Sequence, residues 1–184
     1  ALADFAYTSQ KKIVAAAIKT EDDDTATATI KRFTNRFKKL SGQSNSVAGT
    51  FTVPKDSTDY SKTIDDIKAS GADTVFVTLS AENSIEFMKQ AMDKKLMNVL
   101  FLGTRSWNDD KLIKYLKEND RIQAAFPTEQ SQNAETEVSN EFIQAFKAKY
   151  GESEEPSART AVAFDAYCLA IDAISRAYDA MQTM

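Results

Sequence analysis

Apolar positions along the chain follow two alternating patterns. Short continuous runs rich in β-branched and small residues, at 13–18, 47–53, 74–79, 99–103 and 122–126, read as buried strands. Between them, apolar residues recur three or four positions apart: Ile30, Phe33, Phe37 and Leu40, then Tyr60, Ile64 and Ile67, then Ile85, Met88, Met92 and Leu96, then Leu112, Ile113 and Leu116. That spacing puts each set on one face of a helix. It predicts a first helix closed by Ser41-Gly42 and further helices over 56–70, 80–96 and 108–117. The acids Asp22, Asp23 and Asp24 fall where the first of these begins, and carboxylates are favoured there by capping and by the helix dipole. Pro54 and Pro127 close the second and fifth strands.

Strands joined by helical crossovers must lie parallel, with helices on both faces. The predicted fold is α/β, a three-layer doubly wound parallel sheet of about five strands followed by two helices. After Pro127 the pattern changes. Residues 128–133 are polar, and two helical runs follow at 134–150 and 157–181. The second is apolar over much of its circumference, through Val162, Phe164, Tyr167, Leu169, Ile171, Ile174 and Tyr178. No strand follows for either helix to cover.

Composition narrows the chemistry. An apolar share of 42% with 27% charged residues is that of an ordinary globular protein. His is absent, which removes His-activated nucleophiles, imidazole metal ligands and a switch near neutral pH. The single Cys168 excludes an internal disulfide and a multi-Cys zinc site, and within its apolar helix it reads as a packing residue. A net charge of −4 argues against nucleic acid as a partner. With 5 Gly the chain has neither a GxGxxG nor a GxxxxGK[ST] loop, so no nucleotide cofactor is expected. No apolar run approaches bilayer length and no signal-like segment opens the chain, which is the pattern of a cytosolic protein or of a trimmed or excerpted piece of an exported one.

In open parallel sheets, ligands bind beyond the carboxyl ends of the strands. The loops that qualify are 19–24, 54–59, 79–83 and 104–108. The acidic triplet lacks the ligand spacing of a calcium loop, and helix capping explains it better, so no metal site is expected. Thr104-Arg105-Ser106-Trp107 is the most pointed loop: it joins a guanidinium fork suited to a carboxylate or phosphate with two hydroxyls and the one Trp.

Two stretches carry a family resemblance. Thr74-Val75-Phe76-Val77, Phe87-Met88-Lys89-Gln90-Ala91 and Val99 through Trp107 resemble the second lobe of type I solute-binding proteins, the extracellular receptors of branched-chain amino-acid-type ABC importers. Phe142-Ile143-Gln144-Ala145-Phe146-Lys147-Ala148-Lys149-Tyr150-Gly151, with Pro156-Ser157-Ala158 and Ala163-Phe164-Asp165-Ala166-Tyr167 beyond it, is similar to the signature that follows in the same family. The resemblance implies residues 1–127 as a ligand-binding α/β lobe, 128–133 as a hinge crossing, and 134–184 as helices that normally return to the other lobe. It thereby accounts for two helices with no sheet to cover.

The resemblance also implies a site, with departures. Asp22 and Asp23 stand where many amino-acid receptors have an aromatic, and Ser80 and Ala81 stand in place of an aromatic pair. Arg105 replaces the acid that holds a ligand ammonium, followed by Ser106 and Trp107, and Arg159 stands where a Tyr often opens the last helix. A cation there repels an amine and attracts an anion. The expected ligand is thus a small amino-acid-like molecule or organic anion. The expected partners are ABC permease subunits, and the expected location is the periplasm or cell exterior with a lipoprotein anchor. A homodimer through the apolar faces of the two C-terminal helices is a further expectation. The alternatives are a ligand-sensing domain of a receptor or transcriptional regulator on the same fold, and an enzyme on a flavodoxin-like sheet. The second would need a cofactor loop or an acid/base pair, and the residues offer neither.

Overall fold

Five strands pair in one parallel sheet in the computed structural model, which describes residues 1–128 and 137–182. In chain order the elements are α1 (Leu2–Asp4) running into a π-helical turn at Phe5–Ser9, β1 (Ala15–Thr20), α2 (Asp24–Ser41), β2 (Val47–Val53), α3 (Ser61–Ala69), β3 (Thr74–Val77), α4 (Ala81–Asp93), β4 (Leu100–Gly103), α5 (Asp110–Glu118) and β5 (Gln123–Ala125). Two further helices follow, α6 (Glu137–Tyr150) and α7 (Ala158–Gln182). The chain divides into two units, Ala1–Pro127 and Thr128–Met184.

Strand order in the first unit is β2-β1-β3-β4-β5. The pleat sends alternate side chains to opposite faces. Ala15 and Ala17 of β1, Phe76 of β3, and Leu100 and Leu102 of β4 meet Ile30, Phe33 and Phe37 of α2 on one face. Ala16, Ile18, Val75, Val77 and Phe101 meet Ile64 and Ile67 of α3, Phe87 and Met88 of α4, and Leu112 of α5 on the other. The result is the three-layer, doubly wound arrangement that the alternation of runs predicts. The C-terminal end of α2 also agrees, with Gly42 in the left-handed region at φ 67° and its N–H donating to the Lys38 carbonyl.

Boundaries move where side chains take over backbone hydrogen bonds. The first strand begins at Ala15 rather than at residue 13, because the N–H groups of Ile13 and Val14 donate to the Asp73 carboxylate at 2.8 and 3.1 Å, leaving Ile13 62% exposed. The third helix begins at Ser61 rather than at residue 56. Before it, the Asp59 carboxylate accepts from the Ser61 N–H and the Tyr60 hydroxyl donates to the Ser57 carbonyl, local bonds that compete with a helical turn. Tyr60 is fully buried, as expected, but as the residue preceding the helix. The sequence pattern did not reveal α1 and its π turn, which press Ala3, Ala6 and Tyr7 against Phe37 of α2. Arg36 of α2 pairs there with Asp4.

In the second unit, Phe142 of α6 stacks on Phe164 of α7 with ring centroids 4.6 Å apart, and Lys147 pairs with Glu155 at 2.6 Å. Tyr167, Leu169, Ile174, Tyr178 and Met181 of α7 are exposed. Cys168 is exposed too, which corrects its reading as a packing residue: it lies on a part of α7 that α6 does not cover. The predicted crossing at 128–133, apart from Thr128, and the first residues of the helix predicted from 134 lie outside the described residues.

Candidate functional site

The chain leaves β1 toward β2 on one side and returns to β3 on the other, so connections diverge between the carboxyl ends of β1 and β3. A crevice at such a switch point is the usual ligand position in this kind of sheet. The register places Ile18 opposite Val77 and Val77 opposite Gly103, so the loops after β1, β3 and β4 emerge side by side. Successive strands are about 4.8 Å apart, which separates the first loop from the third by about 10 Å at their roots. The seam is pinned by Thr78, whose N–H and hydroxyl both donate to the Ile18 carbonyl at 3.1 and 3.0 Å.

After β1, the Glu21 N–H donates to the Val53 carbonyl and its carboxylate accepts from the Lys55 N–H. Asp22 follows, exposed, in the left-handed region at φ 53°. Asp23 caps α2, its carboxylate accepting from the Ala26 N–H at 2.7 Å, which is the capping role the sequence suggests for this cluster. After β3, Ser80 is exposed and caps α4 by accepting from the Asn83 N–H, and Ala81 is the half-buried first residue of that helix.

After β4, the loop forms a 3₁₀ turn at Arg105–Trp107 capped by Thr104, whose hydroxyl lies 2.8 Å from that of Ser106. Arg105 and Ser106 are exposed. Trp107, expected at the ligand, is fully buried instead. Its ring lies over Gly103, where a Cβ would come within 2.0 Å of the indole, and its Nε1–H donates to the Ser84 hydroxyl at 2.9 Å. Here Trp107 anchors its loop from beneath and lends no surface to the rim.

The carboxyl edge therefore gathers Asp22, Asp23, Ser80, Ala81, Arg105 and Ser106, with Trp107 beneath. Arg159 belongs to the other unit, at the start of α7, and is exposed. Sequence reasoning missed three contributors. Gly103, four residues before the Trp, carried the one readable signal. Ser84 and the ion pair Lys111–Glu82, 3.0 Å long between the first turns of α5 and α4, join residues too far apart in sequence for spacing to reveal them. The Glu82 carboxylate holds the Lys111 ammonium above its ordinary value by accepting its hydrogen bond. Among the described residues no group of three acid or Cys side chains could hold a metal ion. A cavity of about 630 Å³ lies at the opposite ends of α4 and α5, lined by both basic and acidic side chains, among them Lys89, Asp93, Glu118 and Arg121.

Comparison with known proteins agrees with this architecture. A family model described as periplasmic binding protein matches residues 1–183, and the chain belongs to that family. Among solved structures it is similar to the leucine-binding protein LivK from Thermotoga maritima, with 23% identity and a TM-score of 0.76 over 96% of this chain and 48% of that one. LivJ from Streptococcus pneumoniae, solved in complex with isoleucine, shows 17% identity and a TM-score of 0.73 over 90% of this chain and 45% of that one. An ABC transporter solute-binding protein from R. palustris in complex with benzoate shows 16% identity and a TM-score of 0.65 over 89% and 43%. At these identities the likeness is one of fold. The chain spans about half the length of the structures it matches. No curated protein matches it. No helix among the described residues is long and apolar enough to cross a membrane.

Proposed function

We propose that this chain is the solute-gripping half of the substrate-binding component of an ABC importer, working by capture and hinged closure rather than by chemistry. The observation that carries the reading is the switch point: in a member of the periplasmic binding protein family, loops bearing Asp22, Ser80 and Arg105 leave adjacent parallel strands at one edge. Residues 1–127 are the gripping lobe, 128–133 its crossing, and 134–184 helices that belong with the counterpart half. The apolar face of α7 is covered by that half, and two copies burying it mutually would instead give a dimer of the isolated chain in light scattering.

The solute is a small amino-acid-like or carboxylate-bearing molecule. Arg105 offers a guanidinium fork to its anionic group, the hydroxyls of Ser106 and Ser80 bond its polar atoms, and Arg159 assists in a protein that holds both halves. Isoleucine and benzoate, found in two structures of similar fold, both carry a carboxylate, which supports this choice. Permease subunits are the partners, and the place is the periplasm or cell exterior, with a lipid anchor at the membrane face.

Calorimetry on a protein containing both halves tests the reading, with leucine, isoleucine, benzoate and glutarate as probes. Arg105→Ala should weaken binding of a carboxylate-bearing probe by about 10- to 100-fold, the range of a hydrogen bond to a charged group. Tight leucine binding that this substitution leaves unchanged overturns the assignment of Arg105.

A further inference from the structure

Ser84 sits on α4 with no solvent exposure, and a hydroxyl in such a place is costly unless its hydrogen bonds are made. Both are made, and they run in different directions. The Ser84 hydroxyl accepts from Trp107 Nε1–H at 2.9 Å and donates to the Leu79 carbonyl at 3.3 Å. Leu79 directly precedes Ser80, and Trp107 directly follows Arg105 and Ser106. A two-bond chain thus ties the loop after β3 to the loop after β4. Gly103 completes the bracket, because only a residue without a Cβ lets the indole lie flat against β4 and aim its N–H at α4. An apolar residue at position 84 would fill the same space without fixing the ring's direction.

We infer that Ser84 is a positioning residue, the hydrogen-bonded bracket that sets the loop carrying Arg105 and Ser106 in register with the loop carrying Ser80. The inference rests on the reading of this edge as the solute site.

The test uses the isotopically labelled full chain and its Ser84→Ala variant. Nuclear magnetic resonance reads hydrogen exchange at Trp107 Nε1 and the amide shifts of Ser80, Ala81, Arg105 and Ser106. Loss of the acceptor should speed indole exchange by about fivefold or more, as expected when one buried donor is left unsatisfied. The four loop amides should move together, while amides at 55–58 stay in place. Ser84→Thr, which keeps the hydroxyl, should restore slow exchange. Trp107→Phe keeps a ring without the N–H, so adding Ser84→Ala to it should shift the loop amides no further. A Ser84→Ala variant that merely melts earlier, with indole exchange and the Arg105 and Ser106 amides unchanged, overturns the inference. So do effects of the two substitutions that simply add. Titrating isoleucine and benzoate into a labelled protein that holds both halves, with and without Ser84→Ala, separates the two readings. If the bracket loosens as expected but neither probe perturbs these loops, the bracket stands and the solute site falls.

Discussion

Gly103 shows how much one missing methyl group decides. A Cβ there would meet three indole atoms of Trp107 at 2.0–2.3 Å, and the ring is fully buried with nowhere to retreat. Gly103→Ala should therefore cost about 1–3 kcal/mol, the usual penalty of overpacking, measured by urea unfolding. Asp4 is the residue whose titration departs most clearly. The Arg36 guanidinium, by hydrogen bonding to the carboxylate, lowers its pKa to about 2. A folded-state value below the ordinary 3.8 means that the pair's contribution is complete above that value and is lost as pH falls from about 4 through 2. Carbon-detected titration should place Asp4 near 2, and Arg36→Gln should return it toward the ordinary carboxylate range. Residue identity was legible at this scale, but orientation was not. The sequence singles out Arg105 and Trp107 as neighbours in one loop, yet adjacent residues of a tight turn point in different directions, and one lies exposed while the other is buried. Asp22 and Asp23 divide in the same way, one at the rim and one bonded to a helix end.

At the scale of elements, hydrophobic period and capping chemistry carried most of the information. Ile30, Phe33 and Phe37 were readable as one buried face because a helix of 18 residues repeats its period several times. The α1 segment and its π turn were not, because eight residues offer too few repeats to define a face. Strand and helix starts slipped where Asp73, Asp59 and Tyr60 hold backbone groups through contacts that no period encodes. The two acids at the start of α2 make opposite predictions. Asp23→Ala removes the acceptor of the Ala26 N–H and should lower stability by about 1 kcal/mol in thermal melts followed by circular dichroism. Asp22→Gly should leave stability unchanged or raise it slightly, because φ 53° suits glycine better than any residue with a Cβ.

In the first unit, several helix ends carry charges matched to the strand direction. Lys38, Lys39, Lys68 and Lys117 occupy last turns of helices, while Asp23, Asp24, Glu82, Asp109 and Asp110 occupy caps and first turns. Each placement suits its helix dipole. Because the sheet is parallel, the acids collect at the carboxyl edge, around Arg105. An anionic solute must then cross a repulsive rim before reaching its fork, so its association rate should rise as salt screens that rim, while a cationic probe should slow. Stopped-flow measurements between low and physiological ionic strength check the sign. The overall architecture was readable from the alternation of runs, and the two trailing helices were readable as helices. What covers the face of α7 was not, since a helix records that it has an apolar side without recording what meets it. The burial of Trp107 has one more consequence. As the only indole in the chain, bonded to α4 and seated under the Arg105 turn, it makes the protein its own optical gauge: a loosened bracket would redden and broaden its emission without any attached dye.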